Sequence, residues 1–216
     1  MIAFLHTSPV HVDTFAGLMQ AYAPDVAVQH LVDEALLRDA QTLGVEDATI
    51  VVRVTRRMNE AAEDGARVVV CTCSTIGGIA EKVDARGRFL PMRIDRAMAD
   101  AAVERGERIL IVAALESTIG PTQRLVEDSA FTHGRSVIIS TLTIRSAWPH
   151  FLSGNLVAYY AQIEQVIRSQ LGNADVVMLA QASMAPVAKT FKGAEVLVLS
   201  SPELGVRRAI DAAQVR

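Results

Sequence analysis

Val68-Val69-Val70-Cys71-Thr72-Cys73-Ser74-Thr75 is an apolar run that ends in a cysteine and opens into small polar residues. A degraded copy follows as Val176-Val177-Met178-Leu179-Ala180-Gln181-Ala182-Ser183, with Gln181 in the place of Cys73, 108 residues on. Past the core of the repeat the copies stay aligned, Ile79-Ala80-Glu81 over Val187-Ala188-Lys189. The opening runs align too: Ile2-Ala3-Phe4-Leu5 lies over Ile109-Leu110-Ile111-Val112, and Leu18 over Leu125. A buried strand that stops in a polar loop and starts a helix, written twice, predicts two related halves. One loop carries a thiol at its tip, the other an amide.

Working outward, the pattern alternates between strand and helix. In the first half helix is expected over residues 13–22, strand over 26–31, two helices next with the longer at 45–63, then strand 67–72 and helix 75–83. In the second half residues 109–113, 137–141, 175–179 and 196–199 read as strands. Pro121 suits the first position of a helix, and Pro202 starts the last one. Asn155 can cap a helix whose Leu156, Tyr159, Ile163, Val166 or Ile167, and Leu171 keep a 3.6-residue period. Such alternation implies mostly parallel sheets covered on both faces. The fold expected is α/β, two pseudo-symmetric Rossmann-like lobes with the active site in the cleft between them. Residues 1–92 with 200–216 form the lobe of the Cys73 loop, and 93–199 that of the Gln181 loop. Ligands of such sheets bind beyond the carboxyl ends of strands, so the loops after Leu5, Thr72, Ala113, Leu179 and Leu199 are expected to converge.

Composition narrows the function classes. Half of the 216 residues are apolar and 21% are charged, which fits a packed domain and excludes a disordered chain. Lys and Arg number 21 against 24 Asp and Glu, a net charge of −3 that gives no footing for nucleic acid. Cys71 and Cys73 are the only cysteines. They are expected to project to opposite faces of the sheet and to stay reduced, as in a cytoplasmic protein. No leader peptide and no membrane span of roughly 20 apolar residues is expected.

Cys73 is the candidate catalytic residue. At the junction of a strand and a helix N-terminus it meets the positive end of the helix dipole and unpaired N–H groups, which favour the thiolate. Ser74 and Thr75 are good capping residues, whereas Cys71 falls inside the apolar run and reads as structural. Thr7, Ser8, Ser74, Thr75, Ser117, Thr118, Thr122 and Ser183 are hydroxyl residues near strand ends. With backbone N–H groups they can cradle carboxylate oxygens without an arginine. His6, His11, Glu116 and Lys189 are the titratable residues nearest the loops. No G-x-G-x-x-G or Walker loop is present, Ile76-Gly77-Gly78 reads as a tight helix start, and no serine sits in a G-x-S-x-G elbow. The five histidines lack metal-ligand spacing. Chemistry without metal or cofactor is expected.

Cys73-Ser74-Thr75 after a Val-rich strand, with Thr7-Ser8 after the first strand, resembles the aspartate/glutamate racemase superfamily. That group includes glutamate, aspartate and hydantoin racemases, maleate isomerase and arylmalonate decarboxylase, and the resemblance covers essentially the whole chain. Members carry a Cys-Asn-Thr-like segment in the first half and a Gly-Cys-Thr-like segment in the second. Here the second reads Ala180-Gln181-Ala182, so the second cysteine is missing. The resemblance implies a cofactor-independent racemase or isomerase acting on a small carboxylate (amino acid, hydantoin or diacid), with a homodimeric assembly. Cys73 would be catalytic, and Thr7, Ser8, Ser74, Thr75, Thr118, Gln181, Ala182 and Ser183 would bind substrate. A glutamine is neither base nor acid near neutral pH. That leaves open a one-cysteine decarboxylase of malonate-like acids, or a non-catalytic member that binds a small acid.

Overall fold

The computed structural model describes residues 1–172 and 174–215. The chain divides into two units, Met1–Asp95 with Pro202–Arg216, and Arg96–Ser201. The first unit holds β1 (Ile2–His6), β2 (Val28–Val32), β3 (Val68–Cys71) and β4 (Leu90–Arg93), in the order β2-β1-β3-β4 and all parallel. The second holds β5 (Arg108–Ala113), β6 (Ile138–Thr143), β7 (Val176–Leu179) and β8 (Leu197–Ser200), in the order β6-β5-β7-β8, again all parallel. Register repeats as well: Leu5 pairs with Cys71 and Val112 with Leu179. The α/β reading with two parallel sheets of like order holds.

Helices α1 (Val10–Tyr22), α2 (Glu34–Leu43), α3 (Ala48–Glu63), α4 (Ser74–Glu81) and α10 (Ser201–Gln214) dress the first sheet. With the second sheet run α5 (Arg96–Arg105), α6 (Glu116–Thr132), α7 (Trp148–Leu152), α8 (Leu156–Gln170) and α9 (Ala185–Ala188). Central strands β1, β3 and β7 are buried at every residue, which is why they read as unbroken apolar runs rather than alternating ones. On α3 the residues Ile50, Val54, Met58 and Ala61 recur at helical spacing and are buried in the core. Each of the larger ones stabilises the unit by roughly 2 kcal/mol. Asp47 caps α3 by accepting from the Thr49 N–H at 2.8 Å. Asn155 caps α8 as expected, through the Ala158 N–H at 3.2 Å, and Tyr159, Ile163 and Ile167 are the face it buries.

Two expectations need correction, and two elements come in addition. Pro121 does not open its helix: α6 begins at Glu116, with Leu115 as its N-cap, and Pro121 lies within it. A proline there cannot donate to the carbonyl four residues back, but its ring is buried and adds to the core. Cys71 and Cys73 do not face opposite ways. Both pack on the same cluster with Ile76 and Ala80, because a period of two puts residues two apart on one face. Strand β4 and helix α5 were not anticipated. Pro91 speaks against a strand, yet β4 is at the sheet edge, where a missing N–H is tolerated. The buried face of α5 includes Ala99 and Ala102, which give little periodic contrast.

Candidate functional site

In the first unit the chain leaves β1 for β2 on one side and returns to β3 on the other. The loops after β1 and β3 therefore part, and their carboxyl end is where sheets of this order take ligands. Thr7 and Ser8 follow β1, and Cys73, Ser74 and Thr75 follow β3. Cys73 is the N-cap of α4 in an extended conformation (φ −98°, ψ 115°) and half-buried, while Thr7, Ser74 and Thr75 are buried and Ser8 is half-buried. The fold thus brings five of the sequence-derived site residues to the carboxyl end of one sheet, on the neighbouring strands β1 and β3. Cys71 is sealed in the core, its thiol donating to the Cys73 carbonyl at 3.7 Å. Burial pushes that thiol far up, so it stays protonated.

Beneath the first turn of α4 lies an ion pair that sequence reading missed. Arg93 donates through Nε to Asp95 Oδ1 at 2.6 Å and through Nη2 to Asp95 Oδ2 at 3.0 Å. The two side chains are 4% and 0% exposed. Burial opposes the Asp95 carboxylate, yet the adjacent Arg93 guanidinium holds its pKa below the ordinary value. Nη2 also reaches the Ser74 carbonyl at 3.5 Å.

Behind Thr72 runs a hydrogen-bonded chain. His30 Nδ1 meets His6 Nε2 at 2.9 Å, His6 Nδ1 meets Thr72 Oγ1 at 2.9 Å, and the Thr72 hydroxyl donates to the Leu5 carbonyl at 3.2 Å. The rings of Phe4, Phe15 and His11 pack around His6. Burial lowers the pKa of His6 to about 3 and that of His11 to about 4. Both are neutral at pH 7 and, with so little proton affinity, poor general bases.

The second unit repeats the geometry with different chemistry. Gln181 follows β7, and its Oε1 accepts from the Ala114 N–H at 2.6 Å and the Leu115 N–H at 3.3 Å, after β5. Its carbonyl is committed, which leaves the amide NH2 as the end that can act. Ala182 and Ser183 are buried beside it, and the Ser183 hydroxyl is bonded to the Tyr159 phenol at 2.9 Å. Thr118 is buried in the first turn of α6. Glu116 is exposed and receives Arg145 Nη2 at 2.8 Å, a hydrogen bond that holds its carboxyl below the usual range. It is therefore a weak proton acceptor. The pair borders a recess of about 510 Å³ at the end of β6, lined also by Thr143, Ile144, Ser146 and Val166. Lys189 is exposed at the end of α9. Among the described residues no group of three or more His, Cys, Asp and Glu is arranged to hold a metal ion, and no helix is long and apolar enough to cross a membrane.

The family model described as Asp/Glu/Hydantoin racemase matches residues 11–209. No curated protein matches the chain by sequence. Among solved structures, an aspartate racemase of Picrophilus torridus superposes with a TM-score of 0.70 at 13% identity, covering 99% of this chain and 94% of that one. An allantoin racemase from Klebsiella pneumoniae gives 0.68 at 16% identity, over 99% of this chain and 87% of that one. A glutamate racemase isoform from Bacillus anthracis gives 0.67 at 15% identity, over 100% and 82%. At such identities the likeness speaks for the fold.

Proposed function

Because this chain belongs to the Asp/Glu/hydantoin racemase family, we propose that it is a cofactor-independent racemase or isomerase of a small carboxylate, working through Cys73. The supporting observation is the place of Cys73: N-cap of α4, half-buried, following β3 at the same end of the sheet where Thr7 and Ser8 follow the paired strand β1. There the hydroxyls and N–H groups of Thr7, Ser8, Ser74 and Thr75 cradle the substrate carboxylate. The thiolate takes the proton from the acidic carbon; the electron pair moves into the carboxylate, the resulting enediolate is held by those donors, and a proton from water on the opposite face returns the pair to carbon with inversion. Thr118, Gln181, Ala182 and Ser183 are the second unit's substrate-contacting residues in this reading. The family resemblance extends the reading to a cytoplasmic homodimer.

One observation favours a second reading. By the family resemblance Gln181 takes the position of the second cysteine, and its Oε1 is already taken up by the Ala114 and Leu115 amides. Only a donor remains, so chemistry that needs a proton on one face suits the site. In decarboxylation of a malonate-like acid the carbon–carboxylate bond breaks, CO2 leaves and its electron pair forms the enediolate. The Cys73 thiol then gives its proton to the carbon.

The test is solvent-deuterium exchange over amino acids, hydantoins, maleate and substituted malonates, with wild type, Cys73→Ala and Gln181→Cys. Exchange or CO2 release is expected from wild type and should fall about 10²–10⁴-fold in Cys73→Ala. Inversion would mark a racemase, and retention the one-face reading. A Cys73→Ala protein as active as wild type would end both. Protection of Cys73 by diacids without any turnover would leave only a binding protein.

A further inference from the structure

We propose that the buried Arg93–Asp95 pair positions the Cys73 turn, by fixing the aim of the Ser74 and Thr75 amides. The inference rests on the reading of Cys73 given above. A sealed ion pair is seldom worth more to stability than an apolar pair of the same volume. Here it lies against the segment that matters. Cys71 pairs with Arg93 across β3 and β4, and the next link of that ladder is Ile94 N–H to the Cys71 carbonyl at 3.0 Å. From that base two hydrogen bonds reach successive carbonyls of the turn: the Cys71 thiol donates to Cys73 O, and Arg93 Nη2 donates to Ser74 O.

Each of those carbonyls belongs to a planar trans peptide whose N–H points the other way. Holding Cys73 O therefore aims the Ser74 N–H, and holding Ser74 O aims the Thr75 N–H. These are the two amides at the N-terminus of α4 that the proposed chemistry needs. The lane that admits the guanidinium is made by Gly77, with Gly78 at ordinary contact distance beside it. A Cβ on Gly77 would sit 3.1–3.3 Å from Arg93 atoms, and one on Gly78 3.5 Å away. Glycine there is a poorer helix former than alanine, so the helix gives up propensity to keep that lane open. Asp95 completes the device by gripping the Nε–Nη2 edge with both carboxylate oxygens, which fixes the guanidinium plane.

The test compares wild type with Arg93→Met/Asp95→Leu, which removes both charges together, and with Gly77→Ala, which leaves the pair but crowds it. Three quantities are read: thermal midpoint, the rate of Cys73 alkylation at one fixed pH (located by peptide mass spectrometry), and protection of Cys73 by malonate. The double variant should melt within a few degrees of wild type yet alkylate about tenfold or more slowly, with protection weakened to a similar extent. Gly77→Ala should shift both in the same direction and decides the matter if the double variant does not fold. A folded double variant, or Gly77→Ala, with wild-type alkylation and protection overturns the positioning role. Wild-type Cys73 that is unprotected by malonate counts instead against the carboxylate reading, and the alkylation rates of the variants still report on the turn.

Discussion

His6 is fully buried with a ring nitrogen bonded on each side, to Thr72 and to His30. A charged ring would be desolvated and would turn a second N–H against His30, so burial, and then the neighbouring His30 and His11, lower its pKa to about 3. The unfolded chain binds the proton near the ordinary 6.5, so between those values the unfolded state holds more protons and stability rises with pH. Acidification from about pH 6.5 towards pH 3 should thus remove up to about 5 kcal/mol through this one residue. Urea midpoints taken from pH 7 to pH 4 should fall more steeply for wild type than for His6→Gln. Parallel curves for the two proteins would show that the imidazole is not buried neutral. Cys73 could be found from its neighbours in sequence, because strand, thiol, capping residue and helix follow one another. The Arg93–Asp95 pair could not, since its meaning depends on β4 lying beside β3, a contact across some twenty residues of chain. An Arg-x-Asp after a short apolar run is the only trace it leaves.

Among elements, α10 is anchored by close approach. A Cβ at Gly205 would stand 2.2 Å from the Ile94 carbonyl oxygen, a backbone atom that cannot swing aside. Gly205→Ala should therefore cost about 2–3 kcal/mol, seen as a drop in the denaturant midpoint without change in far-ultraviolet dichroism. Unaltered stability would mean that α10 can lift away freely. On α8, Asn155→Ala removes the oxygen that receives the Ala158 N–H and should cost about 1 kcal/mol; a loss below a few tenths would count against the cap. The readable elements were those whose periodicity survives into burial, such as α3 and α8. Pro121 misled because its helix-start preference is local, while the actual start at Leu115 and Glu116 is set where β5 ends. Strand β4 escaped notice because an edge tolerates the proline that a central strand would reject.

At the scale of the chain, the repeated strand order explains why a short sequence repeat was enough to foretell two parallel sheets. Each unit has its own apolar cluster, built around Val69 and Ile76 in the first and around Val112 and Tyr159 in the second. The second unit is continuous in sequence, Arg96–Ser201, and of ordinary domain size. Produced alone, it should fold with a cooperative urea transition. The segment Met1–Asp95 without α10 should not, because the surface under Gly205 is then bare. A gradual, non-cooperative transition in the second fragment would mean its core is not self-sufficient.

Since Thr72 spends its only hydroxyl proton on the Leu5 carbonyl, His6 must carry hydrogen on Nδ1 and leave Nε2 bare, and His30 must do likewise. Tautomer choice thus propagates outward from a strand end to the half-exposed imidazole of His30. Nitrogen-15 shifts of that ring would then act as a remote gauge of the interior, and Thr72→Val should let both rings turn over without any change at the surface itself.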